Sequence, residues 1–278
     1  MPLEIAYAIC IIVSGLFVRS QIWPKYRSIN RTVPKVDLSW LDGGICLWIV
    51  FVSVLVSQFF ISRLLQSGFY KNYFEEDLLL RYSLLALSLQ IPMILIVFGI
   101  SFYKKNLQGI LDKSFFMPSK EAIHFGSYAF FAYIPIILLV TLLNRYFLEQ
   151  ISRLGWMEMP AQQDLVEIYK TADLSISFGL LTLCTTIIAP VAEELFFRGV
   201  IYRFLKNHLN IKTSMIISGF IFAGIHMHLS VFVPLFVLGF LLAKTYEKSG
   251  NLWSCILFHA LFNTQTLFVL ILQKWAHA

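Results

Sequence analysis

Residues 174–202 read "LSISFGLLTLCTTIIA", then "PVAEELFFRG", then "VIY". The first block carries no charge. The second, Pro190 to Gly199, places Glu193, Glu194 and Arg198 in the middle of an apolar run, and the third resumes that run. A charged side chain at the centre of a bilayer costs about 2.5–3.5 kcal/mol even on the lenient insertion scale. These charges therefore need polar company at their own depth, and the rest of the chain has to supply it.

The surroundings are those of a membrane protein. Of 278 residues, 58% are hydrophobic and 14% charged, with a mean hydropathy of +0.73. Soluble domains carry about 25% charged residues. The fold class expected is all-α, a polytopic transmembrane helix bundle with the active site inside it, integral to the membrane and multi-pass (the cytoplasmic membrane, in a bacterium). The partner this requires is the lipid bilayer. The net charge of +6 is assigned to basic loops facing the cytoplasm, with no nucleic-acid partner. Cys10, Cys46, Cys184 and Cys255 all lie in apolar runs without metal-ligand spacing and read as small packing or lipid-facing residues. The start, "MPLE", has no basic residue, and no small-x-small site precedes "RSQIWPKYR", so a secretory signal peptide is not expected.

Apolar runs near 5–18, 43–62, 82–103, 122–143, 174–205, 213–228, 231–243 and 252–272 suggest about eight transmembrane helices. Pro190 divides the fifth, which is either one kinked helix or a short helix followed by a new one from about Val191. Loops 19–40, 104–121, 198–212 and 244–250 hold fifteen of the 22 Lys and Arg residues. The positive-inside rule puts those loops in the cytoplasm and both termini on the non-cytoplasmic side. Loop 144–173 is the longest, net acidic, and expected outside. Residues 1–173 form an N-terminal transmembrane region of four helices whose role the sequence does not reveal. Residues 174–272 form the core that carries the motifs.

Depth brings the polar residues together. Glu193 and His226 are symmetric about position 209.5, the middle of the polar turn "KNHLNIK". In an antiparallel hairpin they stand at one height, about 20 Å from the turn. The last span starts at Asn251 and reaches His259 after about 12 Å and Asn263 after about 18 Å. His259 and Asn263, four apart, share a face, as do Phe222 and His226. Three helices thus bring polar groups to a similar depth, which suggests one buried polar cavity faced by the glutamates.

Angles separate the roles. Glu194 and Arg198 are i and i+4, the spacing of an ion pair. Glu193 lies about 100° round the helix from Glu194 and stands outside that pair. A carboxylate in a dry place beside a second one suits a general base. Each element also has a plain reading. Arg198 could snorkel towards the cytoplasm beside Glu194, His226 could be a packing histidine, and His259 and Asn263 could be interhelical hydrogen-bond glue. His228 lies about 200° from His226, so only one of the two faces the cavity. His124, His208 and His277 read as incidental loop or span-end residues. One site accounts for the matched depths and faces together.

These residues resemble a family. "EELFFR" matches the EExxxR motif of the CPBP family, the CAAX-protease and bacteriocin-processing intramembrane endopeptidases also called Abi. "FAGIH", Phe222 to His226, matches its FxxxH motif, and "HALFN", His259 to Asn263, its HxxxN motif. The segment "FVLGF" around Gly239 looks like the small-residue helix that the family places between the last two. The resemblance covers about residues 174–272, in the family's order. It implies hydrolysis of a peptide bond in a membrane-associated protein or peptide, prenylated or leader-bearing. Mapped residue by residue, it implies that Glu193 activates water with help from His226, that His259 and Asn263 donate to the oxyanion, and that Glu194 and Arg198 shape and charge the site.

Other readings stand beside this one. His226, His259 and Glu193 form a ligand set for a divalent metal, zinc, with one open position. The family has carried a metalloprotease-like label on those grounds, although HExxH is absent here. A non-catalytic membrane binding or bacteriocin self-immunity protein would need packing at these positions and no acid–base chemistry. A proton-coupled transporter would also use buried Glu, Arg and His, but the chain has no inverted repeat and one polar cluster. Substrate identity and oligomeric state are not written in the sequence.

Overall fold

A computed structural model of the chain describes residues 39–67, 77–103, 117–160 and 164–277, with isolated positions before them (Val13, Gly15, Leu16, Ser20, Val33 and Lys35). The first expected span, 5–18, lies outside the described residues apart from three of those positions, as does most of loops 19–40 and 104–121. The described residues form eight helices and no strand: α1 (Trp40–Gln66), α2 (Leu78–Tyr103), α3 (Lys120–Arg153), α4 (Asp164–Thr171), α5 (Ile176–His208), α6 (Ile211–Gly224), α7 (Leu229–Ser249) and α8 (Leu252–His277). Six of them, all but α4 and α6, are long and apolar enough to cross a bilayer. The chain is an all-α, multi-pass membrane protein.

Local chemistry sets the helix ends. Ser119, Ser175 and Asn210 accept main-chain N–H groups at the starts of α3, α5 and α6. Gly250 ends α7 in the left-handed conformation, φ 65°, where a side chain would be strained. Two boundaries differ from the hydropathy reading. The expected loop 144–173 is helical as far as Arg153 and again over α4. An Arg145–Glu149 pair at 2.9 Å, one turn apart on an exposed face, extends α3 beyond its apolar stretch. The expected span 213–228 is helical only to Gly224. His226 falls in the following turn, before Met227 at φ 52°.

The chain divides into two compact units. One holds α3, α6, α7 and α8 as far as Phe262; the other holds α1, α2, α4, α5 and α8 from Asn263 onward. In the first, α6 and α7 meet at two glycines. A Cβ on Gly239 would lie 2.9 Å from the Gly219 Cα, and one on Gly219 would lie 2.9 Å from the Phe240 nitrogen. Only glycine permits that approach. Ser254 at the start of α8 donates to Ala122 O of α3 at 3.0 Å, and Asn144 of α3 donates to Ser230 O of α7 at 2.8 Å. In the second unit, Gln58 of α1 donates to Leu85 O and Ser88 Oγ of α2 at 2.9 and 2.8 Å. Ser177 of α5 donates to Asp77, just ahead of α2. Trp40 of α1 stacks on His208 at the end of α5.

Candidate functional site

The glutamates sit on a helix that is not uniformly α. Within α5, Cys184–Ile188 and Phe197–Tyr202 are π-helical, and the α-helical stretch Ala189–Phe196 lies between them. Neither of the two expectations for Pro190 describes this. The helix is continuous, and the proline sits in the first turn after a wide π turn, where its missing N–H is accommodated. A π turn holds one extra residue, so it rotates the remainder of the helix by about 100° relative to a plain α-helix. The two π turns thus set the face on which Glu193, Glu194 and Arg198 lie. Segments of this kind recur at functional sites.

Arg198 Nη1 lies 2.8 Å from Glu194 Oε1, and both side chains are 0% exposed. This is the pair that the i, i+4 spacing predicts. Burying both ions is expensive, and their mutual attraction about offsets that cost. Removing one partner alone leaves an uncompensated buried charge. Glu193 is half-buried on the same turn of helix.

In the other unit, the end of α6 presents His226. Its Nδ1 lies 2.7 Å from Phe222 O. A carbonyl only accepts, so Nδ1 carries the proton, and in the neutral ring Nε2 is left with its lone pair. The contact also satisfies one of the last carbonyls of α6, which no helix N–H reaches. The Phe222 ring lies 5.0 Å from that of His226 and 5.7 Å, edge to face, from that of His259. The first residue of the FxxxH motif thus packs against both histidines. His259, 3% exposed, lies on α8 one helical turn before Asn263. Asn263 Nδ2 donates to Thr185 O of the first π turn at 2.9 Å.

Sequence reasoning singled out neither Thr185 nor Tyr169. Tyr169 of α4 reaches the Thr185 hydroxyl at 3.0 Å. Burial holds the Tyr169 phenol above its ordinary pKa, partly offset by hydrogen bonds to Thr185 and Thr182. A threonine in an apolar run gives no signal by itself; the signal available was Pro190 five residues later. Cys184 and Cys255 are buried, and His208 stacks on Trp40, as expected of residues outside the site. His228 lies just ahead of α7, and His124 is in the first turns of α3. Neither unit by itself groups three His, Cys, Asp or Glu side chains for a metal among its described residues.

Comparison with curated proteins and with solved structures finds no match. Residues 175–265 match the family model described as "Type II CAAX prenyl endopeptidase Rce1-like". The match contains all three motifs and leaves α1, α2 and α3 outside it. The chain thus carries an Rce1-like type II CAAX prenyl endopeptidase domain at residues 175–265.

Proposed function

We propose that the protein is an intramembrane endopeptidase that hydrolyses a peptide bond in a membrane-associated substrate, prenylated or leader-bearing. The family match over 175–265 carries this reading. The buried Glu194–Arg198 pair supports it, because that pair engages one glutamate of the two. Glu193 takes a proton from water. His226 assists through Nε2, its tautomer fixed by Phe222 O. The hydroxide adds to the scissile carbonyl, and His259 and Asn263 donate to the oxygen that becomes negative. The protonated Glu193 then gives its proton to the leaving amine. Glu194 and Arg198 hold the helix turn and its charge. The basic loops face the cytoplasm and the acidic segment after α3 faces the other side.

One observation favours a second reading. A histidine that donates from Nδ1 to a carbonyl and presents a bare Nε2 is also the arrangement of a metal ligand. Glu193, His226 and His259 would hold a zinc ion, which would supply Lewis-acid polarisation of the carbonyl.

Proteomes of cells with wild-type protein and with Glu193→Gln test the function. The wild type yields a cleavage product that the variant lacks, although the variant folds and inserts. A variant with full biological activity sinks the protease reading and favours a binding or immunity role. Exhaustive chelation of purified enzyme leaves cleavage intact if Glu193 alone activates water, and abolishes it, with recovery on added zinc, if a metal does. Cysteines at Lys212 and Trp156, both exposed, label from opposite faces of the membrane, Lys212→Cys from the cytoplasm. Labelling from one face overturns the orientation.

A further inference from the structure

Asn263 and Pro190 are linked through one main-chain atom. In the first π turn of α5, Ala189 N–H donates to Cys184 O, five residues back. In the same ladder, the donor to Thr185 O would be residue 190. Residue 190 is proline and has no N–H. The Asn263 amide donates to that carbonyl instead, at 2.9 Å. Within hydrocarbon no water is at hand for a carbonyl left without a donor. Thr185 is anchored through its side chain as well. Its hydroxyl donates to Leu181 O at 3.0 Å, so the Tyr169 hydroxyl is the donor in their 3.0 Å contact. One wide turn is thus tied to α4 and to α8.

We propose that Asn263 is a positioning residue. Its amide replaces the main-chain donor that Pro190 lacks, closes the turn Cys184–Ile188, and thereby fixes the helical phase of Glu193 and Glu194. If that turn relaxed to plain α-helix, the residues after it would rotate by about 100°. The catalytic part of the proposal rests on the reading of Glu193 as the base. The clasp itself does not.

A double-mutant cycle in purified full-length protein separates the two. Pro190→Ala restores an N–H at position 190, and Asn263→Ala removes the substitute. Asn263→Ala alone lowers the thermal midpoint. In the Pro190→Ala background the same change should lower it by less than half as much. The second readout uses a quenched fluorescent peptide with a prenylated cysteine three residues from its C-terminus. Asn263→Ala should lower kcat with KM unchanged, and Pro190→Ala should return at least about tenfold of the lost kcat. Additive midpoint shifts overturn the clasp. Coupled shifts with no recovery of kcat overturn the positioning role and leave Asn263 as an oxyanion donor only. If the wild type itself cleaves neither this peptide nor any cellular protein, the functional reading fails while the midpoints still decide the clasp. Asn263→Ser, which keeps a short donor, serves the same cycle if Asn263→Ala does not fold.

Discussion

Helices α1 and α5 are the same kind of object by composition and opposite kinds by environment. Both are apolar and long enough to span. Along α1 only Gly43, Val50 and Leu65 are buried, and large side chains such as Trp48, Leu55 and Phe60 stand exposed. Along α5 the residues from Glu194 to Leu205 are buried without a break, Glu194, Arg198 and Arg203 among them. Water cannot explain apolar residues outside and charges inside; a hydrocarbon solvent can. Lipid is as apolar as leucine, so an exposed leucine loses nothing there. A charge gains by turning inward to a partner. In a protein of this kind, exposure marks the lipid face and burial of polar groups marks the working face.

The comparison can be broken at four points. The largest effect is expected on α5. Glu194→Ala leaves Arg198 buried and uncompensated, at about 3–5 kcal/mol. Folded yield in detergent should fall far below that of Glu193→Ala, and equal yields would mean that the pair is not buried. On α1 the reverse substitution is the damaging one. Leu55→Arg, at mid-helix on the exposed face, should cost about 2.5–3.5 kcal/mol of insertion. Leu55→Ala should stay within about 0.5 kcal/mol of wild type in detergent melts. If Leu55→Arg inserts normally, that face of α1 does not meet lipid.

Adjacent glycines on α1 sharpen the contrast. A Cβ on Gly43 would lie 2.4 Å from the Phe204 ring of α5, whereas Gly44 has nothing within 4 Å. Gly43→Ala should destabilise by about 1–3 kcal/mol through overpacking. Gly44→Ala should stabilise by up to about 1 kcal/mol through helix propensity. Shifts of one sign for both would mean that α1 does not pack on Phe204.

The smallest effect belongs to Tyr169. Tyr169→Phe removes one hydrogen bond, at about 0.5–1.5 kcal/mol near neutral pH. Burial raises the Tyr169 pKa above its ordinary 10.0. The folded state therefore holds that proton more tightly than the unfolded one. The stability this gives is full below pH 10 and is lost as the pH rises through the folded value. Alkaline melts of wild type should fall more steeply than those of Tyr169→Phe; parallel curves would place the phenol in water.

Much of this was legible in the sequence, and for physical reasons. Hydropathy locates helices in a membrane because the backbone has no other way to satisfy itself there. The i, i+4 spacing located the Glu194–Arg198 pair because a helix turn is nearly rigid. What hydropathy does not encode is hydrogen-bond register. "CTTII" reads as any apolar run, and its π turn is announced only by Pro190. "FAGIHMH" is continuous in hydropathy, yet the helix stops at Gly224 because the chain turns left-handed at Met227. The extension of α3 to Arg153 rests on the Arg145–Glu149 pair, which an apolar window counts as two penalties. Asn263 was legible as a site residue, but its tie to Thr185 was not, because the partner is a carbonyl that every residue has.

The short helix α6 bears on how water reaches a peptide bond in such a place. Fourteen residues cover about 21 Å, against a hydrocarbon thickness of about 30 Å. The missing 9 Å or so is the turn from Ile225 to His228, whose main-chain groups lipid cannot serve. His226 satisfies one of the carbonyls behind it. The others call for protein partners or water, and a bilayer beside a helix this short is drawn thinner. Hydrophobic mismatch thus works as a plumbing device: the helix that carries the assisting histidine is too short to keep the membrane dry where the histidine stands.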